Sequence, residues 1–141
     1  MSGEVKDYPE VYWINQKDRK FEFIGDKSAK LEIGNDVKLN TATIDITGGV
    51  KIGDRVHFGH EVMLLTTDHP PEIKDGNVRR RTLRCAPIEI GDDAYLGSRV
   101  MVLKGVKIGK SAFIAAGALV IKDVPERELW AGSPAKLIRK L

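Results

Sequence analysis

Residues 90–125, IGDDAYLGSRVMVLKGVKIGKSAFIAAGALVIKDVP, carry an apolar residue at every sixth position: Ile90, Leu96, Val102, Ile108, Ile114 and Val120. A second series trails each of these by four: Ala94, Val100, Val106, Ala112, Ala118 and Val124. A period of six fits neither a helix of about 3.6 residues per turn nor a long two-sided strand. It fits a chain that turns a corner every six residues and returns above itself after three sides, eighteen residues on. Ile90 then stacks with Ile108, Leu96 with Ile114 and Val102 with Val120. Successive coils lie about 4.8 Å apart, the spacing of hydrogen-bonded parallel strands. The expected fold is all-β, a parallel β-helix of hexapeptide repeats.

Upstream the same beat reads Ile46, Ile52, Phe58 and Leu64, with Val50, Val56 and Val62 and then Asp68. Farther back Ile33 and Leu39 keep it with Val37 and Thr43, before one extra residue intervenes. Residues 33–51, 52–69, 90–107 and 108–125 make four coils and place the β-helix over 33–125. Residues 70–89 do not fit the period and form an extended loop. The loop holds Pro70-Pro71, Asp75-Gly76-Asn77 and the arginines Arg79, Arg80, Arg81 and Arg84. A long loop on a regular scaffold presents a functional surface. Residues 1–32 read as a capping segment in which Tyr8, Val11, Tyr12, Trp13 and Ile14 cover one end or meet a neighbour. Residues 126–141 form the tail: Ser133-Pro134 reads as an N-cap and first helical residue, opening a short C-terminal α-helix over 135–141.

A chain of 141 residues with 42% hydrophobic content fits one packed domain. Twenty-three Lys+Arg against twenty Asp+Glu leave only +3, which argues against a nucleic-acid binder. No apolar run approaches the ~20 residues of a membrane span, and residues 1–20 are too polar for a signal peptide. The expected protein is soluble and cytoplasmic. A single cysteine, Cys85, excludes an internal disulfide framework and a cysteine-rich zinc site.

Of the histidines His57, His60 and His69, only His69 sits where the repeat hands over to the loop. Its predecessor Asp68 holds the register filled elsewhere by Val50, Val106 and Val124, and such breaks of a local rule concentrate at functional sites. A neutral imidazole there can take a proton from an alcohol or an amine near pH 7. Other readings of the same residues stand beside this one. Cys85 is an alternative acyl-accepting nucleophile favoured by nearby arginines. The three histidines are an alternative zinc set, although their spacing does not suit convergence on one ion. A non-catalytic β-helix module would dock an acidic partner or a membrane surface on the arginines of 79–84.

Leu64-Leu65-Thr66-Thr67-Asp68-His69-Pro70, the loop, and Ile90-Gly91-Asp92-Asp93-Ala94-Tyr95-Leu96-Gly97-Ser98 resemble the hexapeptide-repeat acetyltransferases, the galactoside and maltose O-acetyltransferases in particular. The run Val120-Ile121-Lys122-Asp123-Val124-Pro125, followed by residues 131–139, is similar to the usual ending of that family. The resemblance covers residues 33–141 and implies a left-handed β-helix, a homotrimer, and acetyl-CoA in the groove between neighbouring subunits, with no metal required. Position by position, it implies His69 as the catalytic general base. Asn40 and Tyr95, with Asp68 beside the base, fall to the acceptor. Ser98, Ala116, Lys122, Lys136 and Arg139 fall along the CoA channel, the last three facing its phosphates, and Ile121 stands where a polar residue is common. The implied reaction is acetyl transfer from acetyl-CoA to a hydroxyl of a sugar or glycoconjugate in a direct ternary complex. N-acetylation of an amino sugar or nucleotide sugar is the enzymatic alternative.

Overall fold

The computed structural model describes residues 21–79 and 82–141. The expectations placed on residues 1–20, Arg80 and Arg81 lie outside the described residues. Most of the strands form the three faces of a triangular prism, each a sheet of parallel strands apart from the final strand of the third. The first face holds β1 (Glu22–Ile24), β3 (Thr43–Asp45), β6 (Met63–Leu65), β13 (Met101–Leu103) and β16 (Leu119–Val120). The second holds β2 (Leu31–Ile33), β4 (Val50–Ile52), β11 (Ile88–Ile90) and β14 (Lys107–Ile108). The third holds β5 (His57–Phe58), β12 (Tyr95–Leu96), β15 (Phe113–Ile114), β17 (Glu128–Ala131) and β18 (Lys136–Lys140).

The rows expected from the period are present. Ile52, Ile90 and Ile108 lie in register, as do Phe58, Leu96 and Ile114, and Leu64, Val102 and Val120. All nine side chains are buried, and each contributes about 1.5–3 kcal/mol of transfer free energy. Strands of two or three residues suffice because those of the inner coils hydrogen-bond the coils on both sides. The pairs Ile33-Gly34, Ile52-Gly53, Ile90-Gly91 and Ile108-Gly109 mark the edge between the second and third faces, where backbones of adjacent coils touch. A Cβ at Gly91 would lie 2.6 Å from the backbone nitrogen of Lys110, so no larger residue fits there.

The structure moves several boundaries. Strands β1 and β2 carry the helix back to Glu22, ahead of the start at residue 33. In the second coil Ile44, not Ile46, pairs with Leu64. The slack residues fall after β3, in the corner Ile46–Gly49, where Gly49 adopts a φ of 93°. The loop opens earlier than residue 70. β7 (Thr67–Asp68) already leaves the prism and pairs antiparallel with β10 (Arg84–Cys85). Asp68 is therefore not an interior residue. Ile88 returns from the far side of the loop to pair with Val50 and is fully buried in its stead. Within the loop β8 (Glu72–Lys74) and β9 (Asn77–Arg79) form a hairpin turned by Asp75-Gly76.

The expected C-terminal helix is absent. Lys136–Lys140 is strand β18, antiparallel to β17, with a bulge between Leu129 and Trp130. Helix propensity over so short a stretch amounts to a few tenths of a kcal/mol per residue. The open edge of β17 offers unpaired backbone groups that an added strand pairs along its whole length, as a helix does not. Among the described residues no helix is long and apolar enough to cross a membrane.

The outward surfaces of the faces differ. The second face shows Glu32, Lys51, Glu89 and Lys107 in register, alternating in charge along the axis, an arrangement in which each neighbour attracts the next. The first face shows Met63, Met101 and Leu119 in one row and Leu65 and Leu103 in another. Of these Met63 is 37% exposed and the other four are half-buried.

Candidate active site

The chain stays on the prism as far as Thr66, which is fully buried. Its hydroxyl donates to the Asp45 carbonyl oxygen (2.9 Å) and accepts from the Gly48 amide (2.8 Å). Beyond it the neck of the loop is the ribbon of β7 and β10, with Thr67 opposite Cys85 and Asp68 opposite Arg84. Arg84 donates Nε and Nη2 to the two Asp68 oxygens at 2.9 and 3.0 Å, and Lys104 Nζ lies 3.4 Å away. The Arg84 hydrogen bond, opposed by desolvation and helped by both cations, holds the Asp68 carboxyl below the usual carboxylate range. Both partners are about half exposed, so the pair adds little stability. Its effect is geometric, since two parallel bonds fix the relative position of the strands.

His69 follows at the mouth of this neck with its ring exposed. Nδ1 lies 3.0 Å from the carbonyl oxygen of Thr82 across the loop. A carbonyl oxygen only accepts, so Nδ1 carries the proton and Nε2 of the neutral ring keeps a free lone pair. That is the tautomer a base acting through Nε2 requires.

The remaining candidates fall in four places. Lys122 lies on the same edge as His69, between the first and second faces: it stands two residues beyond Val120, as Lys104 does beyond Val102 and Thr66 beyond Leu64. Asn40, Ser98 and Ala116 line the opposite edge, between the third and first faces. Asn40 adopts a φ of 46° and donates its amide to the Phe58 carbonyl oxygen. Ser98 Oγ accepts from the His60 amide (3.0 Å), while the Ser98 carbonyl accepts from the Gly117 amide (2.9 Å). Tyr95 stands on the third face, stacked on Phe113 at 4.5 Å and edge-on to His57 at 5.5 Å. Burial, with the charges of Lys38 and His60, pushes the His57 pKa down. Lys136 and Arg139 project from β18 at the end of the third face, both exposed.

One chain therefore does not gather all these residues. His69 and Lys122 are separated from Ser98 and Ala116 by the full width of the first face. On the edge where the first and third faces meet, a shallow concavity of about 410 Å³ is lined by Thr41, Thr43, Glu61, Met63 and Arg99 among others, with Arg99 Nε 2.7 Å from Glu61. His57 on the third face and His69 on the far edge do not converge. Among the described residues no group of three His, Cys, Asp or Glu side chains is placed to hold a metal ion. Cys85 is exposed in the ribbon. Asp68, expected beside the acceptor, is instead held by Arg84 and Lys104. Sequence reasoning named Arg84 only as one of the loop arginines, and it missed Lys104 and Asp45. Only pairing across the loop reveals the roles of Arg84 and Lys104, and only burial singles out Asp45.

Residues 87–122 match the family of the bacterial transferase hexapeptide (six repeats). A candidate acetyltransferase of Saccharomyces cerevisiae is 37% identical over 121 residues, 84% of this chain and 60% of that protein. The galactoside O-acetyltransferase of Lactococcus lactis is 33% identical over 119 residues, 83% of this chain and 55% of that one. This chain thus spans little more than half the length of these curated relatives. The hexapeptide-repeat acetyltransferase of Vibrio cholerae, solved in complex with acetyl-CoA, superposes with a TM-score of 0.74 at 28% identity, over 98% of this chain and 81% of that one. By its repeat, its three-sided architecture and these likenesses, the chain carries the hexapeptide repeat and the left-handed parallel β-helix of the acetyltransferases to which it is similar.

Proposed function

We propose that the protein transfers an acetyl group from acetyl-CoA to a hydroxyl of a sugar or glycoconjugate, with His69 as general base and both substrates bound together. The observation that carries this reading is the His69 ring itself, held by the Thr82 carbonyl with Nε2 left to accept a proton. A thioester is already an activated donor, so no covalent enzyme intermediate is needed. The site has to bring the hydroxyl against the carbonyl carbon, remove its proton and steady the oxyanion that develops. Nε2 takes the hydroxyl proton as the oxygen attacks, and the imidazolium returns it to the departing CoA sulfur.

In this reading the working unit is a homotrimer. The apolar rows of the first face, with Met63 and Met101 at their centre, are the surface that a second copy covers. Packing copies around a three-fold axis brings the edge of Ser98 and Ala116 on one subunit toward the edge of His69 and Lys122 on the next, and acetyl-CoA lies in the groove between. Lys122, Lys136 and Arg139 then meet the phosphates of CoA through charge-assisted hydrogen bonds. Asn40 and Tyr95 face the acceptor. Asp68 serves the site through the neck it closes.

The test is release of free thiol from acetyl-CoA across a panel of sugars, amino sugars and nucleotide sugars, with His69→Ala as control. Release that depends on a hydroxyl acceptor and on His69 supports the reading. Release with amino sugars alone assigns N-acetylation, since the same base serves an amine. Absence of release across the panel favours a non-catalytic assembly module.

A further inference from the structure

Asp45 closes β3 with only 5% of its surface exposed, and the proposed chemistry makes no direct use of it. Its carboxylate accepts from the Thr67 hydroxyl at 2.6 Å and from the Thr47 amide at 3.0 Å. Its own carbonyl oxygen accepts from Thr66. Below it the next coil presents Gly25, where a Cβ would come within 2.6 Å of Asp45 Oδ1, so the carboxylate is packed from that side as well. Burial by itself would raise the Asp45 pKa. The hydrogen bonds from Thr67 and Thr47 outweigh it, and the group is held below the usual carboxylate range. Asp45 thus holds two successive threonines of the next coil, Thr67 through its ionised, nearly buried carboxylate and Thr66 through its backbone carbonyl.

Those threonines are where the chain leaves the prism. Thr66 is the last residue on it, and Thr67 is the first residue of the neck, two positions before His69. The pairing of Thr67 with Cys85 and of Asp68 with Arg84 sets the register that brings the Thr82 carbonyl to His69 Nδ1. A slip of one residue in such a ribbon turns each side chain to the opposite face. Bonds to an ionised acceptor are roughly twice as strong as neutral ones, and replacing Asp45 by an apolar residue would leave the Thr47 amide and the Thr67 hydroxyl unpaired.

We infer that Asp45 is a positioning residue for His69: by holding Thr67 from inside the β-helix it fixes the direction in which the loop neck departs and so the tautomer of the histidine. The inference rests on the reading of His69 as the base, and its test is chosen to stand apart from activity.

Thr67→Val and Asp45→Asn remove the grip, and Thr67→Ser keeps the hydroxyl. Long-range proton–nitrogen NMR of the His69 ring in the full-length chain, at a pH where the ring is neutral, reads the tautomer directly. Wild type and Thr67→Ser are expected to show the Nδ1-protonated form alone. Thr67→Val and Asp45→Asn should show a mixture with the Nε2-protonated form, and where transfer is measurable a kcat about ten- to a hundredfold lower with the KM for acetyl-CoA unchanged. If Asp45→Asn does not fold, Thr67→Val, which keeps the side-chain shape, carries the test. A folded Thr67→Val chain that retains a single Nδ1-protonated ring overturns the inference. Wild-type protein without acetyl transfer but with the expected tautomer change would fault the base assignment and leave the positioning role standing.

Discussion

His69 Nδ1 lies 3.0 Å from the carbonyl oxygen of Thr82, thirteen residues along the chain and on the opposite side of the loop. One hydrogen bond thus joins the outgoing and returning limbs of the excursion and decides which ring nitrogen is free to act. Removing the ring should abolish base catalysis while leaving donor binding nearly intact. We expect His69→Ala to lower kcat by at least ~10²-fold, with the acetyl-CoA Kd from calorimetry within about twofold of wild type. Near-normal turnover in that variant would remove His69 from the role.

Asp68 and Arg84 lock the neck, and their effect has a definite pH dependence. The folded-state pKa of Asp68 is depressed, chiefly by the Arg84 hydrogen bond. The stabilisation is therefore present in full above about pH 4, the ordinary carboxylate value, and is lost as pH falls through the lower folded-state value. The protection factors of the residue 67–69 and 82–85 amides, taken relative to intrinsic exchange at each pH, should fall on acidification in wild type. In Arg84→Ala exchange should already be fast at pH 7. Equal protection in the two proteins at neutral pH would dismiss the lock.

The donor site is expected to read charge. Lys122→Ala, Lys136→Ala and Arg139→Ala should each raise the KM for acetyl-CoA several-fold, with smaller changes in kcat. The loss should shrink as salt is added, because screening already weakens the wild-type contacts. A residue whose removal leaves donor KM unchanged at low salt does not touch CoA.

The apolar rows of the first face predict an assembly. Met101→Glu sets a charge in the middle of that surface, beside Met63 in register. Sedimentation should find wild type as a trimer and Met101→Glu as a monomer. Thiol release should fall with it if, as proposed, the two edges carrying the site residues come from different copies of the working unit. A Met101→Glu chain that stays trimeric would move the interface elsewhere.

Gly91 tests the architecture itself. With the Lys110 nitrogen 2.6 Å from any added Cβ, Gly91→Ala forces two coils apart and should cost about 1–3 kcal/mol, seen as a lower midpoint in chemical denaturation. Gly76, at the turn of the hairpin with nothing near its Cβ position, is the control for space: Gly76→Ala strains only its local backbone, and any loss there should not propagate to the coils.

The amino-acid sequence by itself determined the β-helix, its three core rows and the presence of one excursion near His69. A repeat writes the same local instruction in every coil, so Ile90, Leu96 and Val102 predict their partners eighteen residues on without knowledge of anything distant. Tertiary structure decided the rest, because it depends on pairings that no period encodes. The loop leaves at Thr67 because Asp45 and Arg84 hold it there, and Ile88 fills the row that Asp68 had seemed to occupy. Lys136–Lys140 became a strand because the edge of β17 stood open. His69 and Ser98 fell on different edges of the prism because a chain that turns a corner every six residues assigns each residue to a side by counting, whatever its chemistry.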